Sequence, residues 1–234
     1  MAFAAIVDAE AQSTDALSVT TGAVSTTGAT LIVVVGVCYQ ATPAITDSAS
    51  NTWTNLTLRG ATADPRVRIS YVVSPTTSGT HTFTNTGAYA SIYVSAWSGI
   101  NTSTPFDQES GTDDTTAGTS IQPGSLTPVE ANCLVICGCG LTGSTSGVPS
   151  INAPFTATGA FERTGGSNSS GGGSGYVIQT TATARNPTWS WTNSVNKNAA
   201  MAVFRAAAAG GRTTKNTRHT DLGRELGMDL WGHL

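Results

Sequence analysis

The longest apolar run in the chain is LIVVVGVCY, Leu31–Tyr39. It is too short to cross a bilayer as a helix, which takes about 20 residues. Val and Ile dominate it and a Gly interrupts it, so it suits a strand better than a helix. A short continuous run of this kind predicts a central strand buried on both faces. Gly28 before it and Ala41-Thr-Pro-Ala after it punctuate its ends. Other segments alternate instead. Val67-Arg-Ile-Ser-Tyr-Val-Val turns Val67, Ile69, Tyr71 and Val73 inward, and Ser74-Pro75 ends it. Ser91-Ile-Tyr-Val-Ser-Ala-Trp places Ile92, Val94 and Ala96 on one face and Tyr93, Ser95 and Trp97 on the other. Residues 45–56 read as a strand, an Asp/Ser/Asn turn and a second strand.

The remaining pattern is weaker. Two strands are predicted near residues 4–9 and 17–24, and a short polar one, at a sheet edge, in Gly79-Thr-His-Thr-Phe-Thr. Leu126 begins another strand, residues 133–139 form a second buried run, and residues 176–181, 188–192 and 199–205 supply the last strands. Residues 98–120 are rich in turn formers and read as a long loop crossing between sheets. Residues 142–175 are rich in Gly, Ser and Thr, which predicts a mobile loop or flap, with 165–175 nearly low-complexity. About twelve short strands, frequent turn signals and no helix give an all-β fold. The expected architecture is an antiparallel two-sheet β-sandwich of jelly-roll-like or related Greek-key topology. Ala206-Ala-Ala-Ala-Gly-Gly marks a boundary, so residues 1–208 are expected to form the sandwich domain and 209–234 a C-terminal tail.

Composition sharpens this picture. Charged residues make up 11% of the 234, against a usual share of roughly 25%. With 39 Thr and 24 Ser, the polar surface is built from hydroxyls. A net charge of -3 supplies no long-range attraction to nucleic acid. The N-terminus lacks a basic region, and its apolar stretch breaks at Asp8, so no secretory signal is expected. Sequons at Asn55, Asn101 and Asn168 are then chance matches in a Thr/Ser-rich chain. Cys133, Cys137 and Cys139 share one strand face, which makes them poor disulfide partners; with Cys38 they read as buried thiols, a disulfide from Cys38 to one of the three being the alternative.

Candidate chemistry is sparse. Gly138-Cys-Gly-Leu-Thr-Gly fits the dinucleotide fingerprint, but a loop follows it where a helix is needed, so no cofactor is expected. Gly143-Ser-Thr-Ser-Gly puts Thr145 where a nucleophile elbow needs Ser. His81 is the only His of the domain and reads as a surface or packing residue. Asp107, Glu109, Asp113 and Asp114 suit a solvated turn, with a calcium loop or a glycosidase carboxylate pair as alternatives. Asp47 and Asn51 form a second, weaker calcium candidate, with an Asx turn preferred. No catalytic or metal-ligating residue is assigned. Trp189 and Trp191, two apart on one strand face, are either core or, if exposed, a ligand-binding platform for a sugar ring.

Three stretches carry a resemblance: Gly28-Ala-Thr-Leu-Ile-Val-Val-Val-Gly, Ile45-Thr-Asp-Ser-Ala-Ser-Asn-Thr-Trp-Thr, and Val94-Ser-Ala-Trp-Ser-Gly-Ile-Asn-Thr-Ser-Thr-Pro-Phe-Asp. Over about residues 28–140 and the final strand, the chain is similar to a loose group of β-sandwich domains of bacteriophage virion proteins and bacterial surface proteins. The resemblance implies fold and setting, not activity. Without an export signal the virion setting is preferred: a non-enzymatic capsid decoration, neck or tail accessory subunit, made in the host cytoplasm. Its partners would be copies of itself and other virion proteins, with no nucleic acid and no membrane. The alternative is a carbohydrate- or receptor-binding module that contacts a host surface glycan through Trp189 and Trp191 or through the 165–175 loop, and a depolymerising enzyme stands third.

The tail suits docking to a partner. Arg212, Lys215 and Arg218, with no acid among them, form a basic arm for an acidic surface. Thr220 can cap a helix, and Asp221 favours its first turn. Leu222, Leu226 and Leu230 then make one apolar stripe, with Trp231 beside the last. Gly223 and Gly227 each cost such a helix about 1 kcal/mol, so it should form only when the stripe is covered. A frayed tail and a helix folded back on its own sandwich are the alternatives to a partner subunit.

Overall fold

The structure, a computed structural model, describes residues 2–61, 64–164 and 169–208. Among them there are fourteen strands and no helix. In chain order they are β1 Ala4–Gln12, β2 Ser18–Thr20, β3 Leu31–Tyr39, β4 Ala44–Asp47, β5 Thr54–Asn55, β6 Pro65–Val73 and β7 Phe83–Thr86. The second half holds β8 Ser91–Ser98, β9 Phe106–Ile121, β10 Cys133–Thr142, β11 Ser150–Ile151, β12 Thr156–Phe161, β13 Gly171–Gln179 and β14 Trp189–Arg205. One sheet runs β1-β8-β3-β6-β5, and a second runs β12-β13-β10-β14, with β9 and β11 also paired to β14. A third, three-stranded sheet runs β2-β7-β4. All pairings are antiparallel.

The expected all-β antiparallel sandwich is the observed fold, and the small sheet adds a layer to it. Between the two large sheets, Val33, Val35 and Val37 of β3, Ile69 of β6 and Trp97 of β8 pack with Leu134 and Ile136 of β10 and Phe204 of β14. On the opposite face of β3, Ile32, Val34 and Cys38 pack with Ile45 and Phe83 of the small sheet. On the outer face of the second sheet, Val135, Cys137, Met201 and Val203 are covered by Trp189, Trp191, Phe155 and Leu126. The sheets approach closely where β10 has no side chains. A Cβ on Gly138 would collide with Val35, and one on Gly140 would stand 2.7 Å from a Val37 methyl.

Several expectations are corrected. Residues 106–121 are a strand, β9, not part of a crossing loop: an edge strand with one partner needs backbone pairing to β14 but no apolar run. The strands expected at 188–192 and 199–205 are one continuous strand, β14, which begins at Trp189. The stretch 142–175 is not one loop, since it contains β11, β12 and the start of β13. Gly171–Gly175 was expected in a flap but lies buried in β13. Its glycines make room: a Cβ on Gly173 would stand 2.8 Å from two ring carbons of Trp189. Leu126 forms only an isolated bridge to Arg185, and β7 is the central strand of its sheet, not an edge. The tail residues 209–234 lie outside the described residues.

All four cysteines are free and buried, and burial pushes the Cys38 and Cys137 thiols up to about 12. A thiol-reactive dye at mildly alkaline pH should label none in the folded protein and all four after unfolding. Two or fewer after unfolding, without reductant, would overturn the assignment. Gly138→Ala should cost about 1–3 kcal/mol by overpacking against Val35, read as a lower denaturant midpoint. An unchanged midpoint would mean that the sheets can move apart freely.

Candidate functional site

Of the residues singled out for chemistry, His81 and Asp47 are brought together, while the acids of β9 and the Trp189–Trp191 pair lie elsewhere in the fold. His81 is fully buried and bridges to Val24, just before β7. Its ring stacks on Phe83 with centroids 4.3 Å apart. Thr26 Oγ1 lies 2.9 Å from Nδ1, and Nε2 lies 3.1 Å from Asp47 Oδ1, off the best hydrogen-bond line. The order hydroxyl, imidazole, carboxylate is that of a nucleophilic triad. Here the hydroxyl and the imidazole are both sealed inside the protein, so no substrate meets them. The array instead braces the turn after β4. Asp47 accepts hydrogen bonds from the Ala49 amide at 2.8 Å and from Trp53 Nε1 at 2.8 Å. Asn51, the other half of the calcium candidate, turns its side-chain oxygen to the Thr76 amide. Burial alone would raise the Asp47 pKa; the nearby His81 ring and donors on Asn51, Ala49 and Trp53 together outweigh it and hold it below 3.8.

The four acids of β9 are strung along a strand rather than gathered in a loop. From Asp107 to Asp114 the backbone runs about 23 Å at roughly 3.3 Å per residue. Asp107 accepts from Arg205 at 2.7 Å and from the Val129 amide at 2.8 Å. Glu109 accepts from the hydroxyl and amide of Thr57. Asp113 accepts from the Gly60 amide beside Arg59. Asp114 sits 2.8 Å from Lys197 Nζ, and hydrogen bonds from Lys197 and Thr116 pull its pKa to about 2. Among the described residues, no group of three or more His, Cys, Asp or Glu is placed to hold a metal ion. Trp189 and Trp191 are both buried, with Nε1 turned to Cys137 Sγ and the Gly118 carbonyl, so neither offers an exposed face to a sugar. Arg212, Lys215, Arg218, Leu222, Leu226, Leu230 and Trp231 lie outside the described residues.

One cavity was not foreseen. At an end of the sandwich, Tyr39, Tyr89, Thr142, Gly143, Arg163 and Ser169 line about 270 Å³. The tyrosine rings lie 6.2 Å apart, inclined by 29°. Tyr89 and the neighbouring Gln40 hold left-handed φ values of 56° and 60°, a strained conformation that concentrates at functional positions. Arg163 is held by its backbone, donating to Ser146 Oγ at 2.8 Å and accepting from the Ser146 amide at 2.9 Å. Gln12 ties the same corner to β1 through the carbonyls of Glu162 and Ser170. The Arg163 guanidinium donates to the Thr164 carbonyl and to Ser169 Oγ, while its Nε is buried without an acceptor among the described residues. Thr142 Oγ1 is likewise buried and unpartnered. The available sequence signal was Arg163 itself, the only cation between residues 142 and 175.

No protein-family model matches this chain, and neither a curated protein nor a solved structure matches it.

Asp47 and Asp114 are both more acidic folded than the ordinary 3.8. Their stabilisation is therefore complete above 3.8 and is lost as pH falls through the folded values, about 2 for Asp114. The melting temperature should fall across that window. The double variant Asp47→Asn/Asp114→Asn should be less stable at neutral pH and show a shallower acid loss. A variant that loses stability with acid as steeply as the parent would overturn the assignment.

Proposed function

We propose that this chain is a structural subunit of a bacteriophage particle, a capsid decoration, neck or tail accessory protein, and not an enzyme. The observation that carries the proposal is the use made of the charged groups. Asp47 and His81 brace a turn, and the acids of β9 bind Arg205, Lys197, Thr57 and Gly60. Carboxylates that could have served hydrolysis are thus joints between segments. The Thr/Ser-rich, charge-poor composition and the resemblance over residues 28–140 support the same reading. The glycan-module alternative loses Trp189 and Trp191, which are core, and of its other support, the 165–175 loop, residues 171–175 lie buried in β13. In this proposal the protein is made in the host cytoplasm and carried in the virion. It contacts copies of itself and other virion proteins, with residues 211–234 as the docking peptide.

Mass spectrometry of washed particles should find the chain at a fixed copy number. The full-length Leu226→Asp variant should keep its melting temperature and fail to incorporate. Absence of the chain from particles would overturn the structural role, and normal incorporation of the variant would overturn the docking role of the tail. Polysaccharide hydrolysis that disappears in Asp113→Asn or Asp114→Asn would make the protein an enzyme.

A further inference from the structure

The end cavity combines a cation, two aromatic rings and hydroxyls, and among the described residues the cation has no counter-ion. Arg163 is half-buried and makes no ion pair among the described residues. Taking a guanidinium out of water is costly unless an anion or acceptors replace the lost hydration. Burial here lowers the Arg163 pKa, and only a weaker influence of Tyr39 opposes it. Buried polar atoms are nearly always hydrogen-bonded. Two unpartnered ones on residues lining one cavity, Arg163 Nε and Thr142 Oγ1, mark a place for a ligand that can accept from an arginine.

From this geometry we infer that the cavity binds one sugar ring bearing a carboxylate, as in a uronic or sialic acid residue of an acidic glycan. The carboxylate faces Arg163, whose planar fork suits it. The ring lies against Tyr39 and Tyr89, both half-buried and still lining the space, and its hydroxyls meet Thr142 and Ser169. The size agrees, since about 270 Å³ falls just under the roughly 300–1,000 Å³ of sites for drug-sized molecules. A bare phosphate would satisfy the arginine and leave the rings uncovered. A neutral sugar would leave the arginine unpaired. The site is independent of the proposed particle role and uses neither Trp189 nor Trp191.

The test is calorimetric titration of the full chain with glucuronic acid, N-acetylneuraminic acid, glucose and inorganic phosphate. At least one acidic sugar should bind saturably and roughly tenfold to a hundredfold tighter than glucose, the span expected of one charge-assisted hydrogen bond. Arg163→Gln should remove that preference, and Tyr89→Ala should weaken the acidic sugar at an unchanged melting temperature. Three results would overturn the inference: no saturable binding of either acidic sugar, equal binding of glucose, or phosphate bound as tightly as the sugar. The comparison of ligands on the unaltered protein decides the matter even if a variant does not fold.

Discussion

Burial on both faces at once is the constraint that organises this protein. β3 separates the core between the large sheets from the core under the small sheet. β10 and the second half of β14 separate the central core from the outer one. Such a strand has no solvent side on which to place a charge, so it must be apolar or small at successive positions. Charged residues are pushed to edges and ends, where Lys197 and Arg205 of β14 meet Asp114 and Asp107 of β9. Each fully buried aliphatic side chain contributes about 1.5–3 kcal/mol, so the stacked cores dominate and the ion pairs mainly fix register.

The same constraint decided what could be read from sequence. β3 was legible to its ends because a doubly buried strand is a continuous apolar run, and β6 and β8 were legible from alternation. β9 was not: an edge strand of Asp, Thr, Gly and Ser looks like a loop until its partner is known. β13 was missed for the opposite reason. Its glycines look like flexibility, while in the fold they are space for Trp189 and for the backbone of β10. The break between residues 192 and 199 misled because Asn193, Ser194 and Asn196 interrupt the apolar pattern where the register of β14 against β9 also shifts, although the strand runs on and pairs with β10 from Asn196.

The end pocket was illegible for a topological reason. Its residues come from β3, from the β7–β8 loop, from the end of β10 and from the segment between β12 and β13. No spacing in the sequence links them. What joins them is the antiparallel register of β10 with β13, and Gly171, where any side chain would strike the backbone nitrogen of Arg163. The Asp47–His81–Thr26 array teaches the converse. Residues in the order of a catalytic chain can serve as bracing once solvent is excluded.

The glycine-rich start of β13 also bears on how the chain reaches its native state. Gly171, Gly172, Gly173 and Gly175 have no side chains to drive collapse, and glycine loses the most backbone freedom on ordering. A segment of that kind cannot act as a folding nucleus. Its place depends on the edge of β10 and on Trp189, so backbone pairing, not apolar contact of its own, holds this seam of the second sheet.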